Sequence, residues 1–260
     1  MPYLAKLIIY PIKSLDGVEV NQAEVLSSGA LKYDRQIALF DQKDRFINGK
    51  RNSQIHLLRS HFNLDEQTVS LQIPGKSAPE VFHLYSHQQE LAKVLSDFLN
   101  FPIYIKHNYT MGFPDDTISP GPTVISTATL TEVASWFSGV SVTEMRRRIR
   151  ANLEIDGVPA FWEDRLFAEK GNTVSFRVGD VLFLGVNPCQ RCVVPTRNSE
   201  TGEVYNQFQR IFTSQRQKTL PEWVNKSSFN HFYRLSVNTK VLPGKSSHTL
   251  SVGEEVEIIS

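Results

Sequence analysis

The sequence predicts a mainly β protein of the α+β class, built as two β-barrel-like halves with a few helices. Two observations point there. Short runs rich in β-branched and aromatic residues recur at close spacing, and turn dipeptides separate them. Leu4 to Tyr10, Val18 to Leu26, Gln36 to Phe40, Ile55 to Phe62, Val69 to Ile73 and Val81 to Leu84 read as strands, with turns at Asp16-Gly17, Ser28-Gly29 and Pro74-Gly75. Ser86 to Leu99 is the clearest helix, with Ser86 as its N-cap and apolar residues at 91, 94, 95, 98 and 99. Asn108 to Pro122 is polar and rich in Pro and Gly, which marks a boundary or an active-site loop. The division is drawn there, into residues 1–110 and 111–260.

Beyond that loop, Thr123 to Ser126 reads as a strand and Thr129 to Phe137 as a helix. Thr173 to Leu184 and Thr249 to Ile259 each contain a strand, a Val-Gly-acid turn and a second strand, and read as two ordinary hairpins rather than a repeat. Gly179 to Val186 is a buried strand that would leave the following cysteines on a loop. A further helix falls within Gln207 to Trp223, before Pro221.

A chain of 260 residues can bury one large core or two modest ones, and two cysteines exclude a disulfide framework. Reduced thiols suit the cytoplasm. A net charge of +1, from 28 basic and 27 acidic residues, argues against a nucleic-acid partner or a polybasic membrane surface, so any cationic site is local. No apolar stretch approaches a membrane span and the N-terminus lacks the pattern of a secretory signal, so a soluble chain, unprocessed apart from removal of Met1, is expected.

Both cysteines lie in Pro188-Cys189-Gln190-Arg191-Cys192-Val193-Val194-Pro195-Thr196, where the Arg191 charge would favour a thiolate. Three readings of the pair stand. A structural zinc site would need four ligands, but no third cysteine exists, and the zinc-like spacings His56/His61 and His83/His87 lie far off in sequence. A thioredoxin-like dithiol would open a helix, which Pro195 and the turn cluster from Asn198 to Gly202 oppose. In the third, one cysteine binds a soft, redox-active metal while the other packs as a small apolar residue.

Four motifs in order carry a family resemblance: Tyr10-Pro11-Ile12-Lys13-Ser14; Tyr33-Asp34-Arg35; Arg148-Ile149-Arg150-Ala151-Asn152 ahead of Phe161-Trp162-Glu163-Asp164; and Cys189-Gln190-Arg191-Cys192 with Pro195-Thr196 and Thr201-Gly202-Glu203. Over nearly its whole length the chain resembles MOSC-domain proteins that carry an N-terminal MOSC β-barrel domain, in the group of the amidoxime-reducing components and related bacterial molybdenum reductases. The resemblance implies an N-terminal barrel followed by a MOSC barrel. It implies a molybdenum–molybdopterin cofactor, with Cys192 as the metal ligand and catalytic residue and Cys189 not ligating. Lys13 and Ser14, Arg35, and Arg150 and Asn152 match the contacts to the cofactor's phosphate, and Arg191 joins the cofactor-binding set. Arg146 and Arg147 read as solvated charges.

The implied activity is two-electron reduction of small N-oxygenated compounds in the cytoplasm, with electrons from a separate ferredoxin-, flavin- or cytochrome-type protein. No general acid is assigned, although Glu163 and Asp164 are candidates by position. The family's other branch is fused to a pyridoxal-phosphate-dependent sulfurase, so a cofactor carrier or sulfur-handling protein is the alternative; pyridoxal phosphate itself is not expected, for want of a recognisable lysine motif. Three positions depart from the family pattern and put the substrate face in question: Lys50 for an arginine, Asn198-Ser199 for Asp-Pro, and Phe232 for a tyrosine.

Overall fold

In the computed structural model, which describes residues 1–242 and 248–259, the chain is mainly β. Its first half contains β1 (Tyr3–Ile9), β2 (Val18–Val20), β3 (Gln22–Val25), β4 (Ile37–Phe40), β5 (Arg59–Asn63), β6 (Thr68–Gln72), β7 (Glu80–His83), α1 (Gln88–Leu99) and β8 (Tyr104–His107). Alternation explains the short strands: in β6, Val69 and Leu71 are fully buried while Thr68, Ser70 and Gln72 are not. The sheet β5-β6-β7, the pair β4-β8 and α1 enclose one core, where Leu91, Leu95 and Leu99 of α1 meet Leu39, Val69 and Leu71. Two expectations change here. Ile55 lies in a 3-10 turn, Ser53–Leu57, capped by the Asn52 side chain, and the strand begins only at Arg59. Ser86 does not cap α1; His87 holds that position, and its side chain makes no capping hydrogen bond.

The second half adds β9 (Val124–Ser126), α2 (Thr127–Ser135), α3 (Val142–Ile149), β10 (Leu153–Asp156), β11 (Val174–Val178), β12 (Val181–Gln190), α4 (Phe208–Lys218), β13 (Arg234–Val241), β14 (His248–Ser251) and β15 (Val256–Ile259). Eight strands form one sheet in the order β15-β11-β12-β13-β9-β10-β1-β2. The helices α2, α3 and α4 cover part of it through Val133, Met145, Phe208 and Phe212. Only the first of the two expected hairpins forms: β11 pairs with β12, whereas β14 pairs with β3 and β15 with β11. The Val252-Gly253-Glu254 turn therefore hands the chain from one sheet to another.

The Asn108 to Pro122 stretch has no helix or strand and separates β8 from β9. Strands on both sides of it nevertheless share sheets, since β1 pairs with β10 and β3 with β14. The arginine run, whose Arg146 and Arg147 read as solvated charges, is mostly helix α3. Ser141 caps it by accepting from the Glu144 N–H at 3.1 Å, and Met145, Arg148 and Ile149 are buried.

Candidate functional site

One cleft of about 940 Å³ runs between the two halves, and the residues expected to bind metal or cofactor all line it: Lys13, Ser14, Arg35, Arg150, Asn152, Arg191 and Cys192. Backbone conformation concentrates there. Ser14 (φ 78°), Arg35 (φ 51°) and Arg150 (φ 58°) all adopt the left-handed region, where a Cβ is disfavoured. Such strain at several residues of one cleft marks a site whose side-chain directions matter. Arg150 acquires its conformation by ending α3, its N–H donating to the Arg146 carbonyl at 2.9 Å.

The cations are organised by Tyr10. Its ring is buried, and the Arg35 and Arg150 guanidinium carbons lie 4.9 and 4.1 Å from its centroid. An aromatic face attracts both cations while they repel each other. Arg35 is paired with Asp34 and donates to Asn152 Oδ1 at 3.3 Å and to the Arg150 carbonyl at 3.3 Å. Burial opposes its charge, but Asp34 and Asp115 outweigh burial and raise its pKa. Arg150 has no carboxylate partner and no side-chain hydrogen bond among the described residues, and burial lowers its pKa, with Arg35 repelling in the same sense. It is a guanidinium with unused donors facing the cleft.

Lys13 is buried, and its Nζ donates to the Phe113 carbonyl and to Asp115 Oδ1, each at 2.8 Å. Burial lowers its pKa, and Asp115 works against that. Lys50 stands 3.7 Å from the same carboxylate. Asn152 is almost fully buried: Nδ2 donates to the Ile8 carbonyl at 3.0 Å and to Asp34 at 3.1 Å, while Oδ1 accepts from Arg35 and from the Thr123 N–H. Its amide ties β1, β10 and the Asp34-Arg35 turn together.

The sulfur side of the cleft is the end of β12. Contrary to a loop placement, β12 continues through Cys189, and Cys192 follows just past its end. A β-bulge lies opposite Cys189. Pro188 pairs with Val237 and Gln190 with Arg234, so Leu235 and Ser236 face one residue, and Ser236 takes φ 64°. The bulge turns the strand end toward the cleft. Arg191 fastens it by donating to the Ile149 carbonyl and to Ser236 Oγ at 3.4 Å, and Tyr233 donates to the Cys192 carbonyl at 3.1 Å. The Arg191 guanidinium approaches Cys189 Sγ at 3.5 Å. Both thiols are free and partly exposed. Among the described residues no cluster of three or more His, Cys, Asp or Glu side chains could hold a metal ion.

Several other residues fall differently from expectation. Arg146 is no solvated charge: it lines the cleft and makes a bidentate pair with the buried Glu154, at 2.5 and 2.7 Å. Glu163 and Asp164 lie in the core, Glu163 accepting from Thr129 Oγ1 at 2.9 Å and Asp164 paired with Arg216, so neither faces the cleft as a proton donor. Phe232 stacks on Phe229 away from the cleft. Ser199, in the departing Asn198-Ser199 pair, donates its N–H to Glu144 at 2.8 Å and accepts from Arg59 at 2.7 Å, a link that proline could not make from its nitrogen. Tyr10, Asp34 and Asp115 are functional candidates that sequence reasoning did not single out. Tyr10 and Asp34 lay inside quoted motifs, but their stacking and pairing arise only in the folded chain.

Two family models match the chain. The MOSC N-terminal beta barrel domain covers residues 1–142, and the MOSC domain covers residues 123–257. A molybdenum cofactor sulfurase from Drosophila grimshawi is 26% identical over 231 residues, which is 78% of this chain and 29% of that protein. The chain thus spans less than a third of the length of that curated relative. A solved structure described as that of a hypothetical protein aligns with a TM-score of 0.43 at 10% identity, covering 100% of this chain and 68% of its own. No helix among the described residues is long and apolar enough to cross a membrane.

Proposed function

Since the chain belongs to the MOSC family, with that family's N-terminal β-barrel domain ahead of the MOSC domain, we propose that it is a molybdenum-cofactor-dependent reductase of small N-oxygenated compounds such as amidoximes and hydroxylamines. The observation that carries this reading is the convergence on one cleft of a soft ligand, Cys192, with Lys13 and Arg35 from one half and Arg150 from the other. Thiolate sulfur suits a polarizable redox metal. Guanidinium and ammonium groups with open donors suit a phosphate.

The residues present fit a molybdopterin. Arg150 has donors to offer, and buried nitrogens of His56, Arg59, Arg191 and Arg197, all lining the cleft, lack partners among the described residues. Buried polar atoms left unpaired are costly, and a polar ligand would satisfy some of them. The volume is that of a site for a cofactor-sized molecule.

Lys13, Ser14, Arg35 and Arg150 would hold the phosphate, Asn152 would keep Arg35 aimed, and Arg191 would fix the strand end that presents Cys192. A bound molybdenum supplies two-electron redox chemistry. The substrate gains two electrons and two protons, its N–O bond breaks, and the oxygen leaves as water. The electrons come from a separate donor protein in the cytoplasm, of ferredoxin, flavin or cytochrome type.

Likeness to a molybdenum cofactor sulfurase favours a second reading, a cofactor carrier or sulfur-handling protein without turnover of its own. Metal analysis after expression in a cofactor-competent host, followed by assay with an amidoxime and a reductant, separates the two. Molybdenum near one equivalent with turnover supports the reductase, and molybdenum without turnover supports the carrier. Cys192→Ser should abolish turnover and change the metal's spectrum while Cys189→Ser does little; equal loss from both, with zinc in place of molybdenum, would refute both readings.

A further inference from the structure

We propose that Asp115 is a built-in competitor for the anion subsite of the cleft, a carboxylate that an incoming phosphate must displace from Lys13, moving the segment from Pro114 to Pro120 as it does so. This rests on the cleft being an anion site. The Asp115 carboxylate takes the lysine contact a phosphate would need: Oδ1 is 2.8 Å from Lys13 Nζ and 3.7 Å from Lys50 Nζ. The protein crowded around the base of this exposed side chain works to raise its pKa, but Lys13, with Lys50 and Arg35 behind it, holds the carboxyl below the ordinary range.

The two partners of this pair are unequal. Lys13 is 7% exposed and its other hydrogen bond goes to backbone, so it cannot follow Asp115 outward. The Asp115 side chain is 68% exposed and can turn into water once Lys13 has another anion to pair with.

The segment is pinned at both ends and sparsely held between them, where Ser119 is buried but makes no side-chain hydrogen bond among the described residues. Gly112 lies against the Asp34 carbonyl, which a Cβ would approach to 2.5 Å, and the Phe113 N–H donates to the Arg35 carbonyl at 2.8 Å. At the far end the Gly121 N–H donates to the Thr239 carbonyl at 3.1 Å. Between these pins, Asp116 only caps its own turn, through the Ile118 and Ser119 N–H groups. Among the described residues, the Asp115 contact is the hydrogen bond that ties the segment to the rest of the molecule. A phosphate on Lys13 would stand a few ångströms from Asp115, and two anions at that separation repel. Loss of the one tie then releases the segment, which carries the exposed Ile118 at the rim of the cleft.

Titration calorimetry with inorganic phosphate at low ionic strength, on the full chain, tests this. Asp115→Asn and Asp115→Ala should each bind phosphate about tenfold more tightly than the wild type, the scale of one charge-assisted contact. Lys13→Ala should abolish the gain. Without phosphate, Asp115→Asn should melt at a lower temperature, because Lys13 loses its partner, and phosphate should raise its melting temperature by more than it raises that of the wild type. Hydrogen exchange at 114–120 should rise in the wild type when phosphate is added. Phosphate binding to the wild type that is unchanged or weakened by both Asp115 variants would overturn the competition and leave the anion site standing. Absence of phosphate binding in all forms would overturn both.

Discussion

At the scale of residues, the cation cluster depends on an aromatic ring that no charge pattern reveals. Tyr10 lets Arg35 and Arg150 stack on one ring, and each such contact is worth about 1 kcal/mol or more when desolvated. Tyr10→Leu should weaken phosphate binding about tenfold by calorimetry, while Tyr10→Phe, which keeps the π face and loses only the 3.3 Å bond to the Ala151 carbonyl, should stay near wild type. Glu163 gives a second test. Burial, with Asp164 beside it, raises its carboxyl pKa from an ordinary 4.5 to about 7. The folded state therefore holds a proton that the unfolded chain releases, and its stabilisation is full below about pH 4.5 and lost as pH rises to about 7. Urea midpoints should fall over that window, and Glu163→Gln should shrink the fall; some remains, because burial raises Asp164 as well. Lys13, Arg35, Arg150 and Cys192 could be picked out in sequence because each sits in a short motif. Asp115 could not, because its significance comes from a loop folding back across a hundred residues onto Lys13.

At the scale of elements, β12 shows how local geometry aims a functional side chain. Its Gly185 packs so closely that a Cβ would lie 1.7 Å from the Leu166 carbonyl. Gly185→Ala should cost about 3 kcal/mol, the upper end for overpacking, read as a lower urea midpoint. The structure also shows which signals in the sequence were usable. Strands with strict alternation, such as β6, were legible, and so was the amphipathic α1. Helix α3 escaped because four arginines in five positions look like a solvated run, yet Ser141 and Glu144 stand at capping-box spacing and Val142, Met145 and Ile149 form an apolar stripe. The strands β10 and β13 carried no comparable pattern: β10 is buried at three of its four positions, and a bulge breaks the alternation of β13.

At the scale of the whole molecule, the chain order and the sheet order disagree. Residues 1–25 complete sheets whose other strands lie beyond residue 123, through β1 on β10 and β3 on β14. The fragment 111–260 expressed alone should therefore lack a cooperative melt by circular dichroism, and a permuted chain placing residues 1–25 after a linker at its C-terminus should recover one. Sequence spacing could suggest two halves at the Asn108 to Pro122 loop, but pairing as distant in sequence as Tyr3 with Asp156 leaves no mark in composition. The same pairing has a consequence for biosynthesis. At about 5–20 residues per second, β1 leaves the ribosome on the order of ten seconds before β10 exists. Throughout that interval an apolar strand with Leu4, Leu7 and Ile9 has an open edge, the kind of surface that adds to a stranger's sheet. Nascent-chain protection should therefore matter most for β1, and holdase depletion should aggregate this protein before it impairs the fully synthesised form.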